Sequence, residues 1–264
     1  MDSSPRTISL LAGLAIAAAG PAAAQVVRFD FDNAPVQTSL PISLTVDGLT
    51  ALLSATGQGF SIQQAGVMGF TPAGFSGLAI YPNSIFGADL LIGFSLPVTN
   101  FSILYSPQEL GCDDSARMKV TGYADGVYIG SNTATASNPG TWPTERLTLS
   151  SPDPFNSVVI HYDARPPTCQ DYGGIFMADN MEVVLAPPPI VITSPVARAD
   201  GTFQFDFTAA PGGTYRVVAA PSLSLPLTAW TQAGIVTETS PGQYRFEESQ
   251  ALSFPRRFYR VRSP

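Results

Sequence analysis

The sequence predicts an all-β protein, a β-sandwich followed by a smaller β-sandwich module, and three observations carry that expectation. Asp47–Gly48, Asp125–Gly126 and Asp200–Gly201 each stand between stretches of alternating apolar and polar residues. Such pairs readily adopt the left-handed backbone of a tight hairpin turn, so each marks a hairpin. The 23 glycines and 24 prolines break the apolar stretches at the spacing of short strands joined by turns. No segment sustains the 3.6-residue apolar period of a long amphipathic helix.

Taken in order, the chain opens with Arg6, an apolar run from Ile8 to Ala19, then Gly20, Pro21 and Ala22 to Ala24 before Gln25. That pattern predicts a cleaved signal peptide over 1–24 and an exported protein, secreted or held at the cell surface. The run is too short for a comfortable bilayer span, so the mature protein is expected to have no membrane span. Strands follow at Val26 to Phe31, and around the first Asp-Gly pair, where Ile42, Leu44 and Val46 answer Leu49, Ala51 and Leu53. Asp89 to Phe94 and Asn100 to Tyr105 are the next two strands. Met118 and Val120 answer Val127 and Ile129 around the second pair, and Val158 to Tyr162 and Ile175 to Val184 complete a domain over 25–185. Ala186–Pro187–Pro188–Pro189 reads as a linker, because consecutive prolines stiffen the backbone and cannot donate to a sheet. Beyond it Phe203, Phe205 and Phe207 alternate, then Tyr215 and Val217, as in a small sandwich over 190–264.

Composition excludes some partners. Charged residues are 12% of the chain, Lys119 is its single lysine and the formal net charge is −7. No basic patch is available for a phosphate backbone, so nucleic acid and anionic membrane are not expected as partners. Cys112 and Cys169 are the two cysteines, and in an exported chain they are expected to form a disulfide. A loop of about 60 residues closed this way gains about 4 kcal/mol in the chain-entropy account. The one histidine, His161, lies in the strand-like Val158–Tyr162 and is expected to be a packing residue.

Two resemblances add to this reading. The tail carries Pro211–Gly212–Gly213–Thr214–Tyr215–Arg216–Val217, then Trp230, then Phe258–Tyr259–Arg260–Val261. In that order it resembles a small β-sandwich module that ends many secreted bacterial proteins, which implies a role in delivery, attachment or spacing. Most of its large aromatics, Trp230, Phe258 and Tyr259, are expected in a core or interface. The segment before it carries Arg28–Phe29–Asp30–Phe31–Asp32, Tyr123 to Val127, Phe155 to Ile160 and Phe176 to Val183. It resembles the jelly-roll or galactose-binding-like domains of exported bacterial proteins, which implies a binding module without specifying what is bound.

Candidate sites follow from residue chemistry. Asp30, Asp32, Asn33, Asp179 and Asn180 lie at the two ends of the first domain, and side-by-side first and last strands would let their oxygens converge. Calcium takes six to eight such oxygens, so a structural Ca2+ site is expected there. The competing reading places Asp30 and Asp32 in solvent while Phe29 and Phe31 face the core. Sugar recognition favours exposed aromatics beside turn residues, where a ring stacks on a pyranose and nearby polar groups take its hydroxyls. Trp142, after the turn-rich Ser137 to Thr141, and Tyr172, beside Asp171, fit that description.

Catalysis is the rival class. Asp113, Asp114, Asp171 and Glu182 are the carboxylates from which a glycosidase would draw its pair, yet no nucleophile elbow or phosphate-cradling loop is present. The expectation is a non-catalytic secreted binding or attachment protein that recognises polysaccharide or another cell-envelope component. The alternatives are a structural envelope or matrix protein without a small ligand, and a secreted glycoside-active enzyme.

Overall fold

A computed structural model describes residues 25–67, 69–84, 86–107, 117–136, 143–164 and 175–263. The expected signal peptide, both cysteines, Asp113, Asp114, Trp142, Asp171 and Tyr172 lie outside the described residues. The protein is all-β, and its residues fall into two compact units that divide between Ala186 and Pro187.

Ten strands build the first unit: β1 (Val26–Phe29), β2 (Ile42–Val46), β3 (Leu49–Ala55), β4 (Phe60–Gln64), β5 (Leu78–Pro82), β6 (Leu90–Pro107), β7 (Arg117–Ala124), β8 (Val127–Thr135), β9 (Glu145–Ala164) and β10 (Phe176–Leu185). The organising pair is β6 with β9. Their antiparallel ladder runs from Leu90↔Ile160 to Gly93↔Ser157, shifts at Val98↔Phe155, and resumes from Asn100↔Ser150 to Tyr105↔Glu145. The shift falls where β6 carries Pro97 and β9 carries Pro152 and Pro154. Proline has no N–H to give, so the ladder slips there and both strands pass from one sheet into the other. One sheet is then β2-β3-β6-β9-β7-β8; the other joins the far halves of β6 and β9 to β10, with β5, β4 and β1 beyond.

This corrects the expectation of two separate strands at Asp89 to Phe94 and Asn100 to Tyr105, which are parts of a single β6. Pro97 bends the strand without ending it. Between the sheets Phe29, Leu53, Ile92, Phe101, Ile103, Val120, Phe155 and Ile160 are fully buried in one core.

Two of the predicted turns are two-residue hairpins. Asp47 and Gly48 have φ of 48° and 83°, and Asp125 and Gly126 have φ of 48° and 82°, the left-handed pair of a turn that matches strand twist. The third pair sits in a longer loop, closed by the Arg198 N–H to Thr202 carbonyl bond at 2.8 Å, with only Gly201 left-handed at φ 89°.

The second unit has strands β11 (Val191–Ala197), β12 (Phe203–Thr208), β13 (Arg216–Ala220), β14 (Thr231–Ala233), β15 (Ile235–Ser240), β16 (Gln243–Glu248) and β17 (Phe258–Arg262). They form the sheets β11-β12-β16-β15 and β14-β13-β17 around Phe205, Phe207, Val217, Tyr244, Phe246 and Val261. The tail motifs serve this packing. The Tyr244 hydroxyl donates to the Ala210 carbonyl at 2.8 Å and accepts the Gly213 N–H at 3.0 Å. The Glu238 carboxylate accepts the Gly212 and Gly242 amides at 3.0 and 2.9 Å, bonds that hold it below the usual carboxylate range.

Tyr259 stacks on Phe203 at 4.8 Å and donates to Glu248 at 2.7 Å, while Arg257 pairs with the same carboxylate at 3.0 Å. Trp230 is half-buried outside the core cluster, and its Nε1 donates to the Leu225 carbonyl at 3.1 Å, fastening the Ser222 to Leu227 segment.

Candidate functional site

The first and last strands of the first unit do lie side by side, with Val26↔Val184 through Phe29↔Met181 in register. On its other edge β10 loses register with β6 between Asp179 and Glu182. Asn180 occupies this bulge at φ 49°, a conformation that asparagine tolerates better than most residues. Asp179, just before the bulge, alternates with Ala178 and shares the face of Met177, away from the main core; it is buried there at 0% exposure beside Phe75, Ala79 and Tyr81.

Once inside, Asp179 organises the neighbouring loop. Its two carboxylate oxygens accept the Asn180 N–H at 2.6 Å and the Ser76 N–H at 3.1 Å. The Asn180 side chain donates to the Gly74 carbonyl at 3.0 Å, and Asp32 accepts the Leu78 N–H at 2.6 Å. Asp30 in turn accepts the Asp32 N–H at 3.1 Å. The fold thus brings together Asp30, Asp32, Asp179 and Asn180, with Asn33 exposed beside them, while Phe29 and Phe31 face the core.

Burial pushes the Asp179 carboxyl up to about 7, with the charges of Asp32 and Asp30 adding to the rise and its two backbone N–H bonds opposing it. The oxygens of Asp32 and Asp179 are therefore engaged in fastening residues 74–78. Among the described residues no three His, Cys, Asp or Glu side chains are grouped to hold a metal ion.

Gly77 shows how tight this fastening is. Its φ is +55°, and a Cβ there would stand 1.9 Å from Asp32 Oδ1. Gly77→Ala should destabilise the unit by about 3 kcal/mol, from left-handed strain together with a lost charge-assisted bond. Gly69, at φ +90° with open space around it, isolates the backbone contribution, and Gly69→Ala should lose only about 1–2 kcal/mol. Equal urea midpoints for the two variants would show that the Asp32 contact contributes nothing.

A cleft of about 320 Å3 adjoins the cluster, lined by Arg28, Phe29, Asp30, Arg146, Asn180, Met181 and Glu182. Arg28 Nε meets Glu182 Oε2 at 2.7 Å, and Arg146 donates to Ser102 Oγ at 3.0 Å and to the Asn180 carbonyl at 3.2 Å. Guanidinium donors and carboxylate and carbonyl acceptors thus converge on one shallow concavity. Arg28 and Arg146 were not among the sequence candidates. No sequence signal set them apart, since Arg117, Arg216, Arg245, Arg260 and Arg262 lie on strands as well.

Of the carboxylates considered for catalysis, Glu182 is held by Arg28 and the other three lie outside the described residues. His161 is half-buried on β9, paired in register with Lys119 of β7. No helix among the described residues is long and apolar enough to cross a membrane.

No protein-family model and no curated protein matches this sequence. Among solved structures, similarity is found to the K1 cleaved adhesin domain of Lys-gingipain from Porphyromonas gingivalis, at 16% identity over 61% of this chain and 99% of that one, with a TM-score of 0.35. The CBM51-2 and INT domains of ZmpB from Clostridium perfringens match at 13% identity over 55% of this chain and 40% of theirs, with a TM-score of 0.30. The Agl-KA catalytic domain matches at 13% over 71% of this chain and 31% of its own, with a TM-score of 0.34. The chain spans less than half of the latter two, and at these scores the likenesses establish no shared ligand or activity.

Proposed function

We propose that this is an exported, non-catalytic binding protein whose first unit recognises a carbohydrate or another envelope component and whose second unit attaches or spaces it. The observation that carries this reading is the cleft between Arg28, Asp30, Arg146, Asn180 and Glu182. Sugar hydroxyls both donate and accept, and a small concavity with a few fixed polar groups of both kinds is suited to them. Trp142, Asp171 and Tyr172 remain the proposed aromatic and polar contacts from the loops, and Cys112 with Cys169 the proposed disulfide.

The test is retention of the purified mature protein on insoluble polysaccharides, compared with Arg146→Ala and Trp142→Ala. Retention that falls in either variant supports the reading. Failure of the wild-type protein to bind any polymer would move the structural envelope role to first place.

The same proposal assigns calcium to Asp30, Asp32, Asn33, Asp179 and Asn180, the hard oxygen donors this ion takes, at the millimolar to sub-millimolar affinity usual for extracellular modules. Binding there would exchange the Ser76 and Leu78 amides for the ion. A melting temperature raised by millimolar CaCl2, with the rise abolished in Asp32→Asn, supports it. Identical melting in CaCl2 and EDTA removes calcium from the proposal.

A further inference from the structure

The sheet β2-β3-β6-β9-β7-β8 has one face in the core, where Leu53, Ile92, Val158, Val120 and Met118 are at most 1% exposed. Residues that alternate with these point outward. One register row crosses all six strands on that outer face: Tyr128↔Tyr123, Tyr123↔Ser157, Ser157↔Gly93, Gly93↔Leu52 and Leu52↔Ser43. At about 4.8 Å per strand the row is roughly 24 Å long.

Its surface has three features that belong together. At one end Tyr128 is 60% exposed and meets Tyr123 edge-on at 6.4 Å, and its hydroxyl lies 3.3 Å from Ser131 Oγ. In the middle Gly93 leaves a gap, since a Cβ built there meets nothing within 4 Å. Towards the other end Leu52 is 49% exposed beside Ser43. A glycine inside a long strand weakens it, and no turn or close packing of this glycine explains it.

None of the six residues is charged, and neither is any in the neighbouring row through Ser131, Thr121, Val159, Leu91 and Ser54. Charge appears only beyond these rows, at Lys119 on one side and on the other at Asp125, which is occupied by the Asn156 side chain at 2.7 Å.

Resting on the reading of the first unit as a carbohydrate binder, we propose that this row is a second binding surface, on which an extended neutral polysaccharide lies across the strands. A pyranose offers a C–H face to the tyrosine rings and hydroxyls to Ser157, Ser43 and the tyrosine oxygens, and the Gly93 gap admits the chain. Charge selects the occupant. A polyanion meets no cation on the row and a net charge of −7 over the whole chain, and a polycation meets no carboxylate there.

Gly93→Val is the decisive variant, because valine suits an open strand position and should leave melting unchanged or raised while filling the gap. In affinity electrophoresis through gels containing neutral glucan, xylan or mannan, the wild type is retarded. Gly93→Val and Tyr128→Ala should lose roughly tenfold in apparent affinity, the scale of one well-placed ring contact. Wild-type retardation in a folded Gly93→Val protein overturns the proposal. Retardation kept by Gly93→Val but lost in Arg146→Ala overturns it as well, and leaves the carbohydrate reading standing with the β1–β10 cleft as its site. A wild type that runs unretarded in every gel sinks the carbohydrate reading and this surface with it.

Discussion

Phe207→Ala is expected to destabilise the second unit by about 3–5 kcal/mol, the loss from truncating a buried phenylalanine that its surroundings cannot refill. Phe207 is wholly buried, stacks on Tyr244 at 5.1 Å with the rings within 14° of parallel, and takes Tyr215 edge-on at 5.7 Å. Those two tyrosines also hold the loop through Ala210 and Gly213 by their hydroxyls. The variant therefore opens a cavity and loosens the loop fastenings together. A unit of this size has a total stability of about 4–11 kcal/mol, so the loss removes much of its margin. Trp230 fluorescence in a Trp142→Phe background reports on this unit alone. A urea midpoint that falls steeply, or a transition already complete without denaturant, is the expected result; an unchanged midpoint would show that the aromatic stack contributes little.

The stability of the first unit should fall as pH rises from about 4 to about 7, at up to about 1.4 kcal/mol per pH unit from Asp179 alone. The sign follows from burial. The folded protein holds the Asp179 proton up to about pH 7, whereas the unfolded chain releases it near its ordinary value of 3.8. Below both values the group is neutral in either state and its contribution is intact. Between them the unfolded state alone gains the charge, so unfolding becomes easier, and above about 7 the loss is complete. Asp179→Asn keeps the shape and removes the titration, so its midpoints at pH 5 and pH 8 should differ less than those of the wild type. It gives up one acceptor toward Ser76 or Asn180 and should be less stable at pH 5. Parallel pH profiles for the two proteins would mean that Asp179 is ionised throughout, and would point to a bound cation or trapped water beside it.

Much of the local structure was legible. Asp47–Gly48 and Asp125–Gly126 turn where a two-residue hairpin must, because few other pairs accept two left-handed residues in succession. Phe29 and Phe31 are buried and Asp30 and Asp32 exposed, as the competing reading had it, although β1 ends at Phe29 and Phe31, at φ 63°, lies beyond the strand. The burial of Asp179 lay beyond that reading. It alternates with Ala178 as a strand requires, but the face it shares with Met177 is covered by residues 75–81, about a hundred positions away, and its carboxylate holds the Ser76 amide there. The length of β6 was misjudged for a related reason: Asp89 to Phe94 and Asn100 to Tyr105 read as two strands, but one strand continues through them, pairing β3 along its first part and β10 along its second.

Period-two alternation and turn chemistry are properties of a few adjacent residues, so the sequence decided the all-β class, two of the tight hairpins and the inward face of most strands. Which strand lies beside which is set by contacts between residues far apart, and this belongs to the tertiary structure alone. Pairing of β1 with β10 assembles the acidic cluster and the arginine cleft, and the register across six strands aligns Tyr128, Tyr123, Ser157 and Gly93. A slip of one residue in any of those pairings would turn side chains to the opposite face and dissolve both surfaces.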